Sequence, residues 1–366
     1  MRKSVVVLVA AVAAFVLPGV AQAAPLAPAA PTAEVPFKIG VPAVTDSSCD
    51  QATPLCVKPL DRGQSSMSAQ ALRTLPAWCH EHAYDGWWAS RTTSCRISAW
   101  RVLVTRPVNG VPRVVGSFDY NQFDLLQTDT NRTTWAQQVQ IGIYAAWGDV
   151  AGLFVTGGAA CSGACTVTST TFPSQAVAPG YAPGGEATFR SEPAPGTQTR
   201  AISSLNYRFG KPGFTPSAPT VVTAPEVRCD RVEAGAGCVV AGLPPTVALS
   251  LSGPHSEVAA HVLGAQRTGI PGSPLTRSPL HRLTDTVLQD RNQAVACPAN
   301  LPKPTGKACD AYPPSSTWEG AVTGRNNFSR KLVDERQEAA VTALLKSFSR
   351  DMRVLEGDAF YMLITY

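Results

Sequence analysis

Charge is scarce in this chain: 31 Lys+Arg and 26 Asp+Glu among 366 residues leave a net charge of only +5. A dedicated nucleic-acid binder carries a dense basic stripe, and none is visible, so charge alone does not point to that class. Histidine is scarcer, at five, and no His-Glu-x-x-His pair is present to hold a catalytic zinc. There is no Gly-x-Ser-x-Gly nucleophile elbow and no Gly-rich phosphate loop, which removes α/β-hydrolases and P-loop enzymes from consideration. No internal repeat is visible, so a solenoid is excluded as well. After the first residues no apolar run approaches the ~20 positions that a membrane-spanning helix needs.

Apolar residues are plentiful, at 44%, enough to bury one or two substantial cores. The chain opens Met1-Arg2-Lys3-Ser4, runs apolar from Val5 to Val16, breaks at Leu17-Pro18-Gly19 and reaches Ala21-Gln22-Ala23. A basic start, an apolar stretch and a small-x-small site are the pattern of a secretory signal peptide, expected over 1–23. Residues 24–47, rich in Ala and Pro, read as a linker. The expectation is a secreted, extracellular protein, with no membrane segment in its mature form and no obligate protein partner evident.

The ten cysteines fit an oxidising compartment. They fall in close successive pairs, Cys49 and Cys56, Cys79 and Cys95, Cys161 and Cys165, Cys229 and Cys238, Cys297 and Cys309. Neighbour pairing is the simplest proposal, although spacing does not fix connectivity. Cys161 and Cys165 have no second ligand pair at zinc spacing, which favours a disulfide over a metal there.

Residues 48–226 read as a β-rich domain. Trp100 to Thr105, Asn109-Gly110 and Val111 to Phe118 form a hairpin pattern, with Asn-Gly supplying the positive φ of a tight turn. Pro107 and Pro112 suggest an edge position. Gln138 to Ile143 alternates with the period of a half-buried strand. Short strands between turn residues predict an antiparallel, sandwich-like unit. The Pro/Gly-rich stretches 173–200 and 210–226 read as long loops. In Cys79-His80-Glu81-His82 a His-x-His metal site is weighed against a plain disulfide loop, and the loop is favoured for want of a third ligand. Trp78, Tyr84, Trp87, Trp88 and Trp100 are weighed as a stacking platform against a simple core role, which is favoured.

The C-terminal stretch is organised differently. Val258, Val262 and Ala265 return at helical spacing, a second helix is expected over Thr284 to Ala296, and Gln337 to Ser349 is amphipathic. Between the last two lies Cys309-Asp310-Ala311-Tyr312-Pro313-Pro314-Ser315-Ser316-Thr317-Trp318-Glu319-Gly320-Ala321. It reads as a stiff loop pinned by a cysteine and presenting two carboxylates.

This run resembles the Cys-Asp-Glu-Tyr-Pro signature of NucA/NucB-type deoxyribonucleases. Arg228-Cys229 to Gly237-Cys238-Val239-Val240, His261-Val262 and the ending Arg353-Val354-Leu355-Glu356-Gly357-Asp358 are similar to flanking segments of that family. The resemblance covers about 227–366, with Ala311, Pro314 and Ala321 as departures from the pattern. It implies that the β-rich N-terminal domain is followed by a smaller α+β nuclease-like domain over 227–366. It further implies an endonuclease that hydrolyses DNA, uses a divalent cation, Mg or Mn, and has little sequence preference.

By the resemblance, Asp310 is the catalytic aspartate. A carboxylate is a poor base toward free water, so its use implies a metal or an unusual setting. Asp310 and Glu319 are candidate metal ligands, and His261 a candidate ligand or proton donor. Arg291, Asn292, Tyr312 and Ser316 are the candidate substrate-binding residues. Ala311 and Ala321 favour the alternative of a secreted, disulfide-stapled binding or structural protein with an inactive nuclease-like domain. A third reading is a nuclease toxin with an N-terminal delivery domain.

Overall fold

The computed structural model describes residues 35–41, 49, 53–63, 74–233 and 235–366. The expected signal peptide lies outside these residues. Within the expected linker, β1 (Phe37–Ile39) is a strand. In chain order there follow β2 (Leu55–Leu60), α1 (Ala77–Glu81), β3 (Trp87–Ala89), β4 (Thr93–Val108), β5 (Val111–Gln127) and β6 (Thr134–Gly148). Then come β7 (Phe154–Gly163), β8 (Thr166–Thr171), β9 (Gln175–Ala176), β10 (Gly184–Arg190), β11 (Gln198–Gly210) and β12 (Thr220–Thr223).

The β4–β5 hairpin closes at Asn109 and Gly110, with φ of 53° and 80°. Positive φ at both turn positions matches the twist of the flanking strands. Neither strand is at an edge, however, because β4 pairs with β2, β3 and β5, and β5 with β6. Pro107 and Pro112 face each other in the hairpin tip, beyond the last partners in β2 and β6. There a missing N–H leaves no outer neighbour unpaired.

The first sheet runs β1-β3-β4-β5-β6-β10-β8, with β2 also on β4. Its antiparallel inner face, including Val102, Tyr120 and Ile141, shares one core with Val155, Leu205 and Phe209 of the second sheet. This is sheet-on-sheet packing. The first sheet is also covered outside: Cys79 of α1 packs with Leu75 on Cys95, Ile97, Phe123 and Leu125. Gln138 and Gln140 are buried as well, so β6 is enclosed on both sides where half-burial was expected. The expected loop 173–200 contains β10, which pairs along its whole length with β6.

β13 (Val227–Asp230) and β14 (Gly237–Val240) complete the second sheet, in the order β14-β13-β11-β7-β9 with β12 on β11. Val227, Cys229, Cys238 and Val240 all lie in the sandwich core. The expected boundary at 227 thus falls inside the sandwich, and a separate core begins with Val247. Adjacent cysteines pair throughout: Cys49–Cys56, Cys79–Cys95, Cys161–Cys165, Cys229–Cys238 and Cys297–Cys309.

The second unit comprises β15 (Thr246–Ser250), α2 (Ser256–Arg267), β16 (Leu280–His281), α3 (Thr286–Ala296), β17 (Lys307–Tyr312), β18 (Ser329–Asp334), α4 (Glu335–Asp351) and β19 (Ala359–Thr365). β19 lies between β15, to which it is parallel, and β16, to which it is antiparallel. β17 and β18 form a separate hairpin. Each later helix starts at a capping aspartate. Asp285 accepts from Leu288 N, and Asp334 accepts from Arg336 N and Gln337 N, which satisfies amides that a helix start leaves unpaired. Val258 and Val262 of α2, Val341 and Phe348 of α4, Tyr312, Val333, Phe360 and Met362 share the unit's core.

A buried ionic cluster joins the two units. Arg353 donates to Asp230, with Nε to Oδ2 at 2.9 Å, and to Thr130 O at 3.0 Å. Asp358 receives Arg91 at 3.0 Å and Arg228 at 2.6 Å. Burial raises the Asp358 carboxyl, but Arg91 and Arg228 outweigh it and hold the group below its ordinary range. Burial and the neighbouring Arg228 pull Arg91 down to about 10, which leaves it charged at neutral pH.

Candidate active site

The helix α2 is fixed to the β17–β18 hairpin by its first turn. Glu257 receives Lys307 Nζ at 2.8 and 3.1 Å and the Asp334 amide at 2.8 Å. The lysine contact, with the amide behind it, holds the Glu257 carboxyl below its usual range. With α2 so placed, one turn further on His261 is buried against the hairpin.

His261 Nδ1 lies 2.6 Å from Asp310 Oδ2, and Nε2 lies 2.9 Å from Ser329 Oγ. Asp310 comes from β17 and Ser329 from β18, whose pairing sets Tyr312 opposite Ser329 and Lys331 opposite Asp310. The first part of the expected stiff loop is therefore strand. The Cys297–Cys309 disulfide ties this strand to the end of α3, one residue before Asp310. A neutral imidazole that donates from Nδ1 to a carboxylate must accept at Nε2. In that tautomer the Ser329 hydroxyl is the donor. A carboxylate, an imidazole and a hydroxyl thus stand in one hydrogen-bonded line.

Asp310 also lines a cleft of about 430 Å³ between α2, α3, β17, α4 and β19. Gln289 and Gln293 of α3, Ser315, Ser316 and Lys346 supply polar groups to its walls. Ser316, a candidate substrate-binding residue, thus lines the cleft. Arg291 is exposed on α3, outside the residues that line it.

Asn292 and Tyr312 are placed inside the unit. The Asn292 side chain is fully buried. Its Nδ2 donates to Ser315 O at 3.0 Å, Thr317 O at 3.3 Å and Thr323 Oγ1 at 3.0 Å. Its Oδ1 accepts from Val322 N at 2.9 Å and Thr323 N at 3.1 Å. Asn292 therefore shapes the loop from within, where a substrate contact was expected. Gly320 stands against it: a Cβ there would come 2.3 Å from Asn292 Nδ2. Tyr312 is buried, donating to Pro271 O at 2.7 Å and accepting from Gln266 Nε2 at 2.9 Å. Burial pushes its phenol up, with the Gln266 bond opposing.

Glu319 belongs to a different pair. Its Oε1 lies 2.7 Å from His281 Nδ1 and its Oε2 accepts the His281 amide at 2.8 Å. His281 was not singled out from sequence, since a lone histidine after Leu280 carries no motif. Ser329 was visible only as the third residue of Asn327-Phe328-Ser329, a glycosylation pattern. No spacing rule links it to residues 19 and 68 positions earlier.

The fit to a divalent cation follows from these bonds. Mg²⁺ and Mn²⁺ want several oxygen ligands around one point. Both Glu319 oxygens are taken by His281 and one Asp310 oxygen by His261. No group of three or more His, Cys, Asp or Glu is assembled for a metal among the described residues. Asp310 and Glu319 thus stand in two separate carboxylate–histidine pairs.

His80 and His82 likewise form no metal site among the described residues; His82 stacks on Trp88, ring centroids 3.4 Å apart. Trp87 and Trp100 lie in the sandwich core while Trp78 and Tyr84 pack on its outer cluster, so the aromatics do not form one platform. No helix among the described residues is long and apolar enough to cross a membrane. No family model, curated protein or solved structure matches the chain. The likeness to the NucA/NucB signature accordingly rests on the quoted residues themselves.

Proposed function

We propose that the second unit hydrolyses phosphodiester bonds of DNA, with His261 as the base and Asp310 as the group that orients it. The observation that carries this reading is the 2.6 Å contact between buried His261 and Asp310, the member of the pair that lines the cleft. Asp310 is also the residue that falls on the catalytic aspartate of the NucA/NucB signature.

The pair answers the weakness of a carboxylate as a base. Asp310 accepts a hydrogen bond from Nδ1–H, so Nε2 keeps its lone pair and the imidazolium formed later is stabilised by the adjacent negative charge. Nε2 takes a proton from the attacking hydroxyl or water as the new P–O bond forms. The old P–O bond breaks with its electron pair, and the departing oxygen takes the proton held by His261. Glutamine and serine groups on the cleft walls supply donors for phosphate oxygens. The five disulfides favour an oxidising, extracellular setting for this activity.

The runner-up is a disulfide-stapled binding protein whose second unit no longer cuts. It is favoured by His261 being only 5% exposed, which restricts access to Nε2, and by Ala311 and Ala321. A supercoiled-plasmid assay in Mg²⁺, in Mn²⁺ and in chelator separates the two. Nicking that disappears in Asp310→Ala, with unchanged circular dichroism, supports hydrolysis. DNA retention without nicking in every buffer supports binding.

A further inference from the structure

We infer that Ser329 is an activated nucleophile, able to form a covalent ester with an electrophilic phosphoryl or acyl group. The inference shares the His261–Asp310 base with the hydrolytic reading, but it needs neither DNA nor an attacking water.

Three features of the geometry carry it. Ser329 Oγ is 2.9 Å from His261 Nε2, and His261 Nδ1 is 2.6 Å from Asp310 Oδ2. These are the distances at which a nucleophile, a base and an orienting group act together. The line is also held from outside. α2 is fixed by Glu257 to Lys307 and the Asp334 amide, and β17 by Cys297–Cys309. Each member comes from a different element, so their alignment follows from tertiary packing. Finally, the three differ in exposure. His261 is buried, while Ser329 at the start of β18 is partly exposed. A base shielded from water beside a partly exposed serine suits attack by that serine.

The step balances without a co-reactant. The Ser329 hydroxyl gives its proton to His261 Nε2 while Oγ bonds to phosphorus or to a carbonyl carbon. The bond from that atom to its leaving group breaks with its electron pair, and the leaving group departs as an anion or takes the proton from His261. On a phosphodiester the product would be a phosphoserine diester. On a carboxylic ester it would be an acyl-serine, which water then releases.

The probe is a fluorophosphonate, whose P–F bond is broken by an activated serine and to which ordinary surface serines are inert. The folded full chain is treated, its intact mass measured and the adduct mapped by peptide sequencing. One adduct at Ser329 is expected, absent in Ser329→Ala. Its formation rate should fall on the order of 10²–10⁴-fold in Asp310→Asn, which keeps shape and removes the orienting charge. No adduct on the folded protein would overturn the inference, as would an adduct on another residue with Ser329 unmodified. So would labelling that proceeds undiminished in Asp310→Asn. The two proposals fail separately. Plasmid nicking without labelling removes the nucleophile and leaves hydrolysis, whereas labelling without nicking removes the DNA substrate and leaves the nucleophile.

Discussion

Replacing Asn292 with alanine tests how the loop that carries Ser315 to Glu319 is held. The amide makes five contacts of 2.9–3.3 Å to Ser315 O, Thr317 O, Val322 N, Thr323 N and Thr323 Oγ1. In Asn292→Ala, Ser315 O and the Val322 and Thr323 amides lose their partner at once, while Thr317 O keeps the Gly320 amide and Thr323 Oγ1. Val322 is 40% exposed, so its amide regains water and contributes little. Ser315 and Thr323 are partly buried, and unpaired buried groups cost roughly 1–3 kcal/mol each. The expected loss is therefore about 3 kcal/mol, limited above by whatever it costs the loop to detach locally. Asn292→Asp should lose at least as much, because a carboxylate would face the carbonyls of Ser315 and Thr317. Hydrogen exchange is the assay that resolves local from global loss: the Val322 and Thr323 amides should lose protection while those of α2 keep theirs. Gly320→Ala should reproduce the pattern, since its methyl would meet Asn292 Nδ2. A loss below about 1 kcal/mol, with the Thr323 amide still protected, would refute the idea that Asn292 organises the loop.

Other expectations follow from the cluster between the units. Arg353→Met strips Asp230 of its main partner in a fully buried position, and breaking one side of such a pair costs about 3–5 kcal/mol. The lower end is expected because Arg228 remains 3.9 Å away; denaturant unfolding that moves by less than half of this would contradict it. Acid should weaken the same cluster. Because the Asp358 carboxyl is held below its ordinary range, its contribution is complete above about pH 4 and is lost as pH falls further. Urea midpoints between pH 7 and pH 3 should show that loss, and Asp358→Asn should flatten it; an unchanged slope in the variant would place the effect elsewhere.

Local periodicity made several elements legible. The Asn109-Gly110 hairpin and the helices around Val262 and Val341 announce themselves through turn chemistry and spacing. Adjacent cysteines predicted their own partners, because a short loop needs little closure. What the sequence did not reveal depends on distant neighbours. Gln138 and Gln140 look solvent-facing, yet both are buried beside Leu125 and Phe123, which belong to the cluster that Cys79 of α1 joins. β10 begins Gly184-Gly185, and glycine usually marks a break, yet its neighbours β6 and β8 make it an inner strand. Within the site, His261 and Asp310 were each visible as residues, but their contact spans 49 positions and no motif encodes it. Glu319 looked like a site residue because it shares the stretch that begins with Asp310, and Asn292 because of the family resemblance. Their partners are His281 and the loop backbone.

The most direct test of the central claim is a double-mutant cycle on supercoiled-plasmid nicking, with wild type, His261→Gln, Asp310→Asn and the double variant measured at one cation concentration. If the two side chains act as one base, each single change should lower kcat/KM on the order of 10²–10⁴-fold, and the double variant should be little worse than the poorer single. Losses that multiply, an Asp310→Asn protein that nicks at the wild-type rate, or a wild type that never nicks would contradict the account.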